Sequence, residues 1–216
     1  MDLYRYKMSK FLRDRIYVPC RTKSELIVRI ADAIAELTFS LENQEDFDVV
    51  IAIGKFQRIF FISDKKIFSV FFPFSIRRSA DATLPHSFEM SGIPIDSYML
   101  SRACTAVVEG LGDENKDIYS FADSVISCFT TSDVEGVQVV SDDVWKVVRR
   151  LMMLEEGYLR YDNDPDNYDA ITHPLDHLDI FYSPSCTFKV GLSGKIKHDH
   201  LLDILDPHTR CRIMGH

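Results

Sequence analysis

The side chains that could do chemistry crowd into one stretch near the C-terminus: Arg160, Asp162, His173, His177, Asp179 and Lys189. Folded as strands, these segments put alternate side chains on one face. Tyr158, Arg160 and Asp162 share a side over 158–162, His177, Asp179 and Phe181 over 177–182, and Thr187, Lys189 and Gly191 over 187–192. The three-residue link Ser183-Pro184-Ser185 suits a hairpin. Pairing Tyr182 with Cys186 sets Ile180 opposite Phe188, Leu178 opposite Val190 and Asp179 opposite Lys189. A slip of one residue would throw Lys189 into the apolar row, so the pattern selects this parity. If strand 158–162 joins the same sheet, Arg160 and Asp162 meet His177, Asp179 and Lys189.

A histidine beside a carboxylate can exchange protons near neutral pH, and Arg and Lys can hold a phosphate oxyanion. The set therefore suits phosphodiester cleavage: His177 as base or acid, Asp179 or Asp162 orienting it, Arg160 and Lys189 on phosphate. His173, His177 and Asp179 also read H-x3-H-x-D. His177 and Asp179 could ligate one ion, with His173 swinging in from the loop; Pro174 opposes the helix that an H-E-x-x-H site needs. Asp162-x-Asp164-x-Asp166 copies the first three ligand positions of an EF-hand loop, but Asn167 stands where Gly is required and His173 where a bidentate Glu is required. A divalent cation held loosely by this acidic loop stays open. No cofactor-binding motif, nucleophile elbow or P-loop occurs; Gly54-Lys55 precedes a strand, not a helix. The competing explanation is a wet sheet face, where Asp179–Lys189 would be an ordinary ion pair worth roughly a few tenths of a kcal/mol.

The elements that position these residues follow from pattern. Thr22-x-x-Glu25 is a capping box, and Ile27, Ile30, Ile34, Leu37 and Leu41 recur at helical spacing, which predicts a helix over 22–43. Strands are predicted over 49–53, 58–63 and 67–74, with Asp64-Lys65-Lys66 as a hairpin turn. Residues 75–93 show little periodicity and read as the longest loop. Helices are expected over about 95–110 and 115–130, broken at 110–115. A further helix starts after Ser141 as N-cap, with Val144, Trp145, Val148, Leu151 and Met152 on its apolar side and Gly157 closing it. His198-Asp199-His200 reads as the start of a last helix, stopped by Asp206-Pro207. This order gives a single α+β domain over 1–216, with a mainly antiparallel sheet flanked by helices and its polar-faced strands at 157–192.

With 216 residues, 46% hydrophobic and 12% aromatic, including 15 Phe, the chain is built to bury a core. The net charge of −8 argues against a general nucleic-acid coat. The basic side chains Arg5, Lys7, Lys10, Arg13, Arg15, Arg21 and Lys23 nevertheless gather in a 1–23 element, against Asp2 and Asp14. That element reads as a solvated surface packed on an acidic body, or as a nucleic-acid contact helped by Tyr4, Tyr6 and Phe11. The five cysteines lack a C-x-x-C pair, which fits a reducing compartment; Cys128 and Cys186, among apolar neighbours, are expected to be buried. No signal-peptide core follows Met1 and no apolar run approaches a membrane span, so the expectation is cytoplasmic with no membrane partner.

The stretch Arg160-Tyr161-Asp162-x-Asp164-Pro165, then His173-Pro174-x-x-His177-Leu178, resembles an uncharacterised bacterial family with an R-Y-D-x-D-P … H-P-x-x-H-L motif, over about 50 residues. Asp179 stands where a second strand histidine is usual in that family. The resemblance implies a bacterial cytosolic protein of the accessory or antiviral-defence gene pool and no mechanism.

The acidic segment 155–179 sets eight carboxylates against Arg160 alone. With the net charge and the lack of a sharp motif, this places first a non-catalytic module that binds a basic protein partner or holds a complex together. The alternative is a phosphodiesterase or nuclease using the His/Asp/Arg cluster. A recessed His177–Asp179 pair favours catalysis, and a flat solvated face favours docking.

Overall fold

The computed structural model describes residues 1–111, 118–132, 138–140, 142–155, 157–183 and 185–209. It shows an α+β protein built mainly on antiparallel sheet. The chain divides into two compact units, one of residues 1–8, 42–72 and 156–216, the other of 9–41 and 73–155.

The first unit holds a seven-stranded antiparallel sheet. Its strands in chain order are β1 (Asp2–Tyr6), β2 (Val49–Ile53), β3 (Gln57–Ile62) and β4 (Lys66–Phe71). In the second unit lie β5 (Ser75–Arg77), β6 (Ser87–Met90), β7 (Ile93–Ile95), β8 (Thr130–Ser132) and β9 (Gln138–Val140). The first unit resumes with β10 (Tyr158–Asn163), β11 (Asp176–Ser183) and β12 (Cys186–Gly191), giving a spatial order β1-β2-β3-β4-β10-β11-β12. Strands β4 and β10 are thus neighbours although the second unit's chain lies between them.

One face of this sheet is apolar. Val50, Ala52, Phe60, Ile67, Leu159, Tyr161 and Leu178 pack with Leu201 and Leu202 of the helix His198–Leu205. Each Leu buried there is worth about 1.5–3 kcal/mol. The opposite face changes character along the sheet. Across β1–β4 it is apolar: Tyr4, Tyr6, Val49, Ile51, Ile59, Phe61, Phe68 and Val70 are all buried. Across β10–β12 it becomes polar.

The second unit carries the helices α1 (Lys10–Ile16), α2 (Lys23–Leu37), α3 (Ser97–Leu111), α4 (Ile118–Phe129) and α5 (Asp142–Met152); the C-terminal helix of the first unit is α6. The capping box of Thr22 and Glu25 opens α2. That helix stops at Leu37 and does not run to 43. Thr38 Oγ1 and Ser40 Oγ donate to the carbonyls of Ile34 and Glu36, at 2.7 and 3.0 Å, which closes the last turn. Residues 75–93, expected as loop, supply β5, β6 and part of a three-stranded sheet with β7. Strands of three or four residues have too few alternations to display a period. Helix α5 buries Val144, Val147, Val148 and Leu151 but leaves Trp145 38% exposed and Met152 half-buried. Gly157 does not close α5. It sits beside β11, where an added Cβ would come within 3.0 Å of the Phe181 carbonyl oxygen. The Ser141 cap, most of the 110–115 break, Pro184 and Cys211 fall outside the described residues.

The basic N-terminal segment contributes β1 to one unit and α1 to the other, two elements not foreseen. Arg5 donates to Gln44, Lys7 pairs with Asp46 at 2.6 Å and Arg15 with Asp32 at 2.6 Å. Tyr4 and Tyr6 lie in the core. Cys128 is half-buried and Cys186, at the tip of the edge strand β12, is exposed, against the expectation for both. Among the described residues no helix is long and apolar enough to cross a membrane.

Candidate functional site

The pairing of β4, β10, β11 and β12 lays the polar face out in three rungs. Lys66, Asp162, His177 and Gly191 form the first, Phe68, Arg160, Asp179 and Lys189 the second, and Val70, Tyr158, Phe181 and Thr187 the third. Asp179 stands opposite Lys189, Ile180 opposite Phe188 and Leu178 opposite Val190, as the alternation required. The register shifts past Phe181, so Ser183, not Tyr182, pairs with Cys186.

Arg160 lies at the centre. Its Nε donates to Asp162 Oδ2 at 2.8 Å, and its Nη2 reaches both Asp162 Oδ2, at 2.7 Å, and Asp179 Oδ2. Burial alone would lower the pKa of the guanidinium, but Asp162 and Asp179 outweigh it and hold the value above the ordinary one. Fork-shaped pairing of this kind fixes both carboxylates. Their side chains are only 6% and 17% exposed.

His177 is fully buried. Its Nδ1 lies 2.8 Å from the Pro174 carbonyl, which can only accept, so Nδ1 carries the proton and donates. In the neutral ring Nε2 is then an acceptor, and Lys189 donates to it. Nε2 faces Asp179 Oδ1 at 3.8 Å, Asp162 Oδ2 at 3.9 Å and Lys189 Nζ at 3.3 Å. Pro174 can sit so close because its partner strand offers Gly191: a Cβ there would come within 3.0 Å of the proline ring.

Lys189 reaches over the cluster. Its ammonium lies 3.2 Å from Asp179 Oδ1 and 3.1 Å from His173 Nδ1, as well as against His177. The His173 ring stands edge-on to that of His177, centroids 4.5 Å apart, and its Nε2 donates to Asp164 Oδ2 at 3.1 Å. Asn167 first, and then His173, pull the Asp164 carboxyl down to about 2. Below the rungs, Tyr161 donates to Asp176 Oδ1 at 2.5 Å and Asn163 Nδ2 to the same oxygen at 2.9 Å. Burial first, and then this bond, push the Tyr161 phenol up.

All six residues singled out by sequence therefore come together, at two depths. His177 and Asp162 lie beneath, while Lys189, His173, Arg160 and Asp179 reach the surface in part. The carboxylates at positions 162, 164 and 166 do not form a loop site: Asp162 serves the sheet and Asp164 the His173 link. Among the described residues, Asp162, His177 and Asp179 each bring one potential ligand atom within 4.8 Å of the others; Asp162 takes the place that the sequence spacing offered to His173. A pocket of about 480 Å³ adjoins the cluster, lined by Tyr158, Thr172, Asp179, Phe181, Thr187 and Lys189 among others. Tyr158 and Phe181 stack in parallel there, centroids 5.0 Å apart. Sequence reading missed this aromatic wall, although Tyr158 and Phe181 share a face with the polar residues by simple alternation. Comparison with protein-family models, with curated proteins and with solved structures gave no match.

Proposed function

We propose that the polar end of the sheet hydrolyses phosphoesters of nucleotides or nucleic acid. The observation that carries this reading is depth: His177 has no exposed surface and Asp162 is 4% exposed, yet both lie next to Asp179, which together with Lys189 lines a pocket. Solvated ion pairs on a sheet face need no such burial, and buried charge is costly to retain. Lys189 lines the pocket and supplies the cation for a phosphate oxyanion, with Arg160 behind it holding Asp162 and Asp179. The pocket's Tyr158–Phe181 wall offers a surface on which a base can stack, worth about 1–3 kcal/mol. Water is activated at the Asp162–His177–Asp179 set, and His173, bonded to Asp164 and Lys189, steadies the lysine that meets the phosphate.

A docking role for a basic protein partner is the second reading. It draws support from the loop after β10, where Asp166 is exposed and Tyr168 and Ile171 are 58% and 91% exposed. Five of the carboxylates in 155–179 (Asp162, Asp164, Asp169, Asp176 and Asp179) already accept hydrogen bonds within their own unit, which favours the hydrolytic reading. Single- and double-stranded DNA and RNA, offered with Mg²⁺ or Mn²⁺ or neither, decide between them. Cleavage by the parent and not by His177→Ala supports hydrolysis. No cleavage, or equal cleavage by both, removes it and leaves the docking surface.

A further inference from the structure

One atom of the cluster has nothing to accept. The Asp162 side chain is 6% exposed and its Oδ2 is taken by Arg160, but its Oδ1 is sealed from solvent with no hydrogen-bond partner. Buried polar atoms are almost always satisfied, and a carboxylate oxygen is among the most expensive to leave bare. We propose that Asp162, His177 and Asp179 bind a divalent transition-metal cation and that Lys189 swings out as the ion enters. The proposal rests on the reading of this cluster as a working site and names what activates water there.

The geometry is close to what an ion needs. One ligand atom from each residue lies within 4.8 Å of the others, and His177 Nε2 is 3.8 Å from Asp179 Oδ1 and 3.9 Å from Asp162 Oδ2. A tetrahedral ion with bonds of about 2.0–2.1 Å spaces its ligands about 3.4 Å apart, so the set must close by about half an ångström at His177 and by no more than about 1.4 Å between any two ligand atoms. The supporting bonds are those of a metal ligand set. His177 donates through its far nitrogen to a backbone carbonyl, which fixes the ligating tautomer, and Arg160 holds Oδ2 of both carboxylates, so Asp179 offers Oδ1 and Asp162 offers its unpartnered Oδ1 or shares Oδ2 with the guanidinium. One imidazole nitrogen with two carboxylate oxygens suits Mn²⁺ or Zn²⁺.

Lys189 marks the position a cation would take. Its ammonium presses on two of the three ligands, at 3.2 and 3.3 Å, from a side chain 39% exposed that is free to turn outward. Exchanging that single charge for a double one leaves the cluster with net positive charge, which draws a phosphate toward the displaced ammonium.

Titration of the full chain with Mn²⁺, followed by the electron paramagnetic resonance signal of the free ion, tests this. One site is expected in the parent. Lys189→Met should bind about tenfold tighter or better, because the competing cation is gone. Asp162→Asn and His177→Ala should each weaken binding by at least about tenfold, with circular dichroism reporting that they fold; should His177→Ala unfold, the near-isosteric Asp162→Asn carries the test. No binding by the parent or by Lys189→Met overturns the proposal. So does binding that survives Asp162→Asn, which would put the ion on the acidic loop. The titration needs no turnover, so binding without cleavage removes only the hydrolytic reading and cleavage without binding removes only the ion.

Discussion

Replacing Arg160 with Met separates a buried working cluster from a wet sheet face. In the folded protein Arg160 bridges two carboxylates that are 6% and 17% exposed. At an effective dielectric of 20, a pair of unit charges 2.7 Å apart, as Arg160 and Asp162 are, attracts by about 6 kcal/mol before desolvation is charged against it. Desolvation offsets most of that in the intact pair. The variant keeps the desolvation and loses the attraction, stranding two buried anions with Lys189 as their nearest cation. Loss of one partner from such a pair costs about 3–5 kcal/mol. Urea denaturation followed by far-ultraviolet circular dichroism measures it directly. A companion variant, Arg160→Met with Asp162→Asn and Asp179→Asn, removes all three charges and should recover most of the loss. If Arg160→Met costs under about 1 kcal/mol, the cluster is a set of solvated surface pairs, and the argument from depth fails.

Further outcomes follow from the same geometry. Tyr161→Phe should destabilise by about 1 kcal/mol, the low end for a buried hydrogen bond, because Asn163 still donates to Asp176 at 2.9 Å; a cost above about 3 kcal/mol in urea denaturation would show that Asp176 depends on the phenol alone. Asp164, held down to about 2 by Asn167 and His173, contributes stability that is complete above the unfolded carboxyl value near 4 and drains away as pH falls from about 4 to 2. Asp164→Asn should flatten the stability curve in that window, and an unchanged slope would contradict the assignment. Burial pushes the Cys104 thiol up to about 11, whereas Cys186 is exposed. Iodoacetamide at pH 8, followed by mass spectrometry, should label Cys186 well before Cys104; comparable rates would refute it.

The in-plane arrangement of the site was legible from alternation alone. Period-two patterning forces Asp179 opposite Lys189, because any other parity buries a lysine in the row of Leu178 and Ile180. Depth was not legible. Whether His177 is wet or sealed depends on Pro174 folding back over Gly191 and on the 164–175 segment closing on itself through Asp169 and His173, contacts that strand periodicity does not encode. The same limit explains the candidate ligand set. Spacing along the chain favoured His173 as the third ligand, while cross-strand pairing brings Asp162 opposite His177 and sends His173 to Asp164 and Lys189. The missed β5–β7 sheet failed for a different reason, since its strands are shorter than the pattern needed to see them. The N-terminal strand β1 spans only five residues of a segment dominated by basic charge, and its inward Tyr4 and Tyr6 flank the outward Arg5 over a single full period.

The most direct test of the central claim is the turnover of short fluorogenic RNA and DNA oligonucleotides by the parent and by Asp179→Asn, each checked for folding by its urea midpoint. The account predicts phosphodiester cleavage by the parent and a loss of about 100-fold or more in the folded variant. Equal rates in the two proteins, or no cleavage by a folded parent with Mn²⁺ supplied, would contradict it.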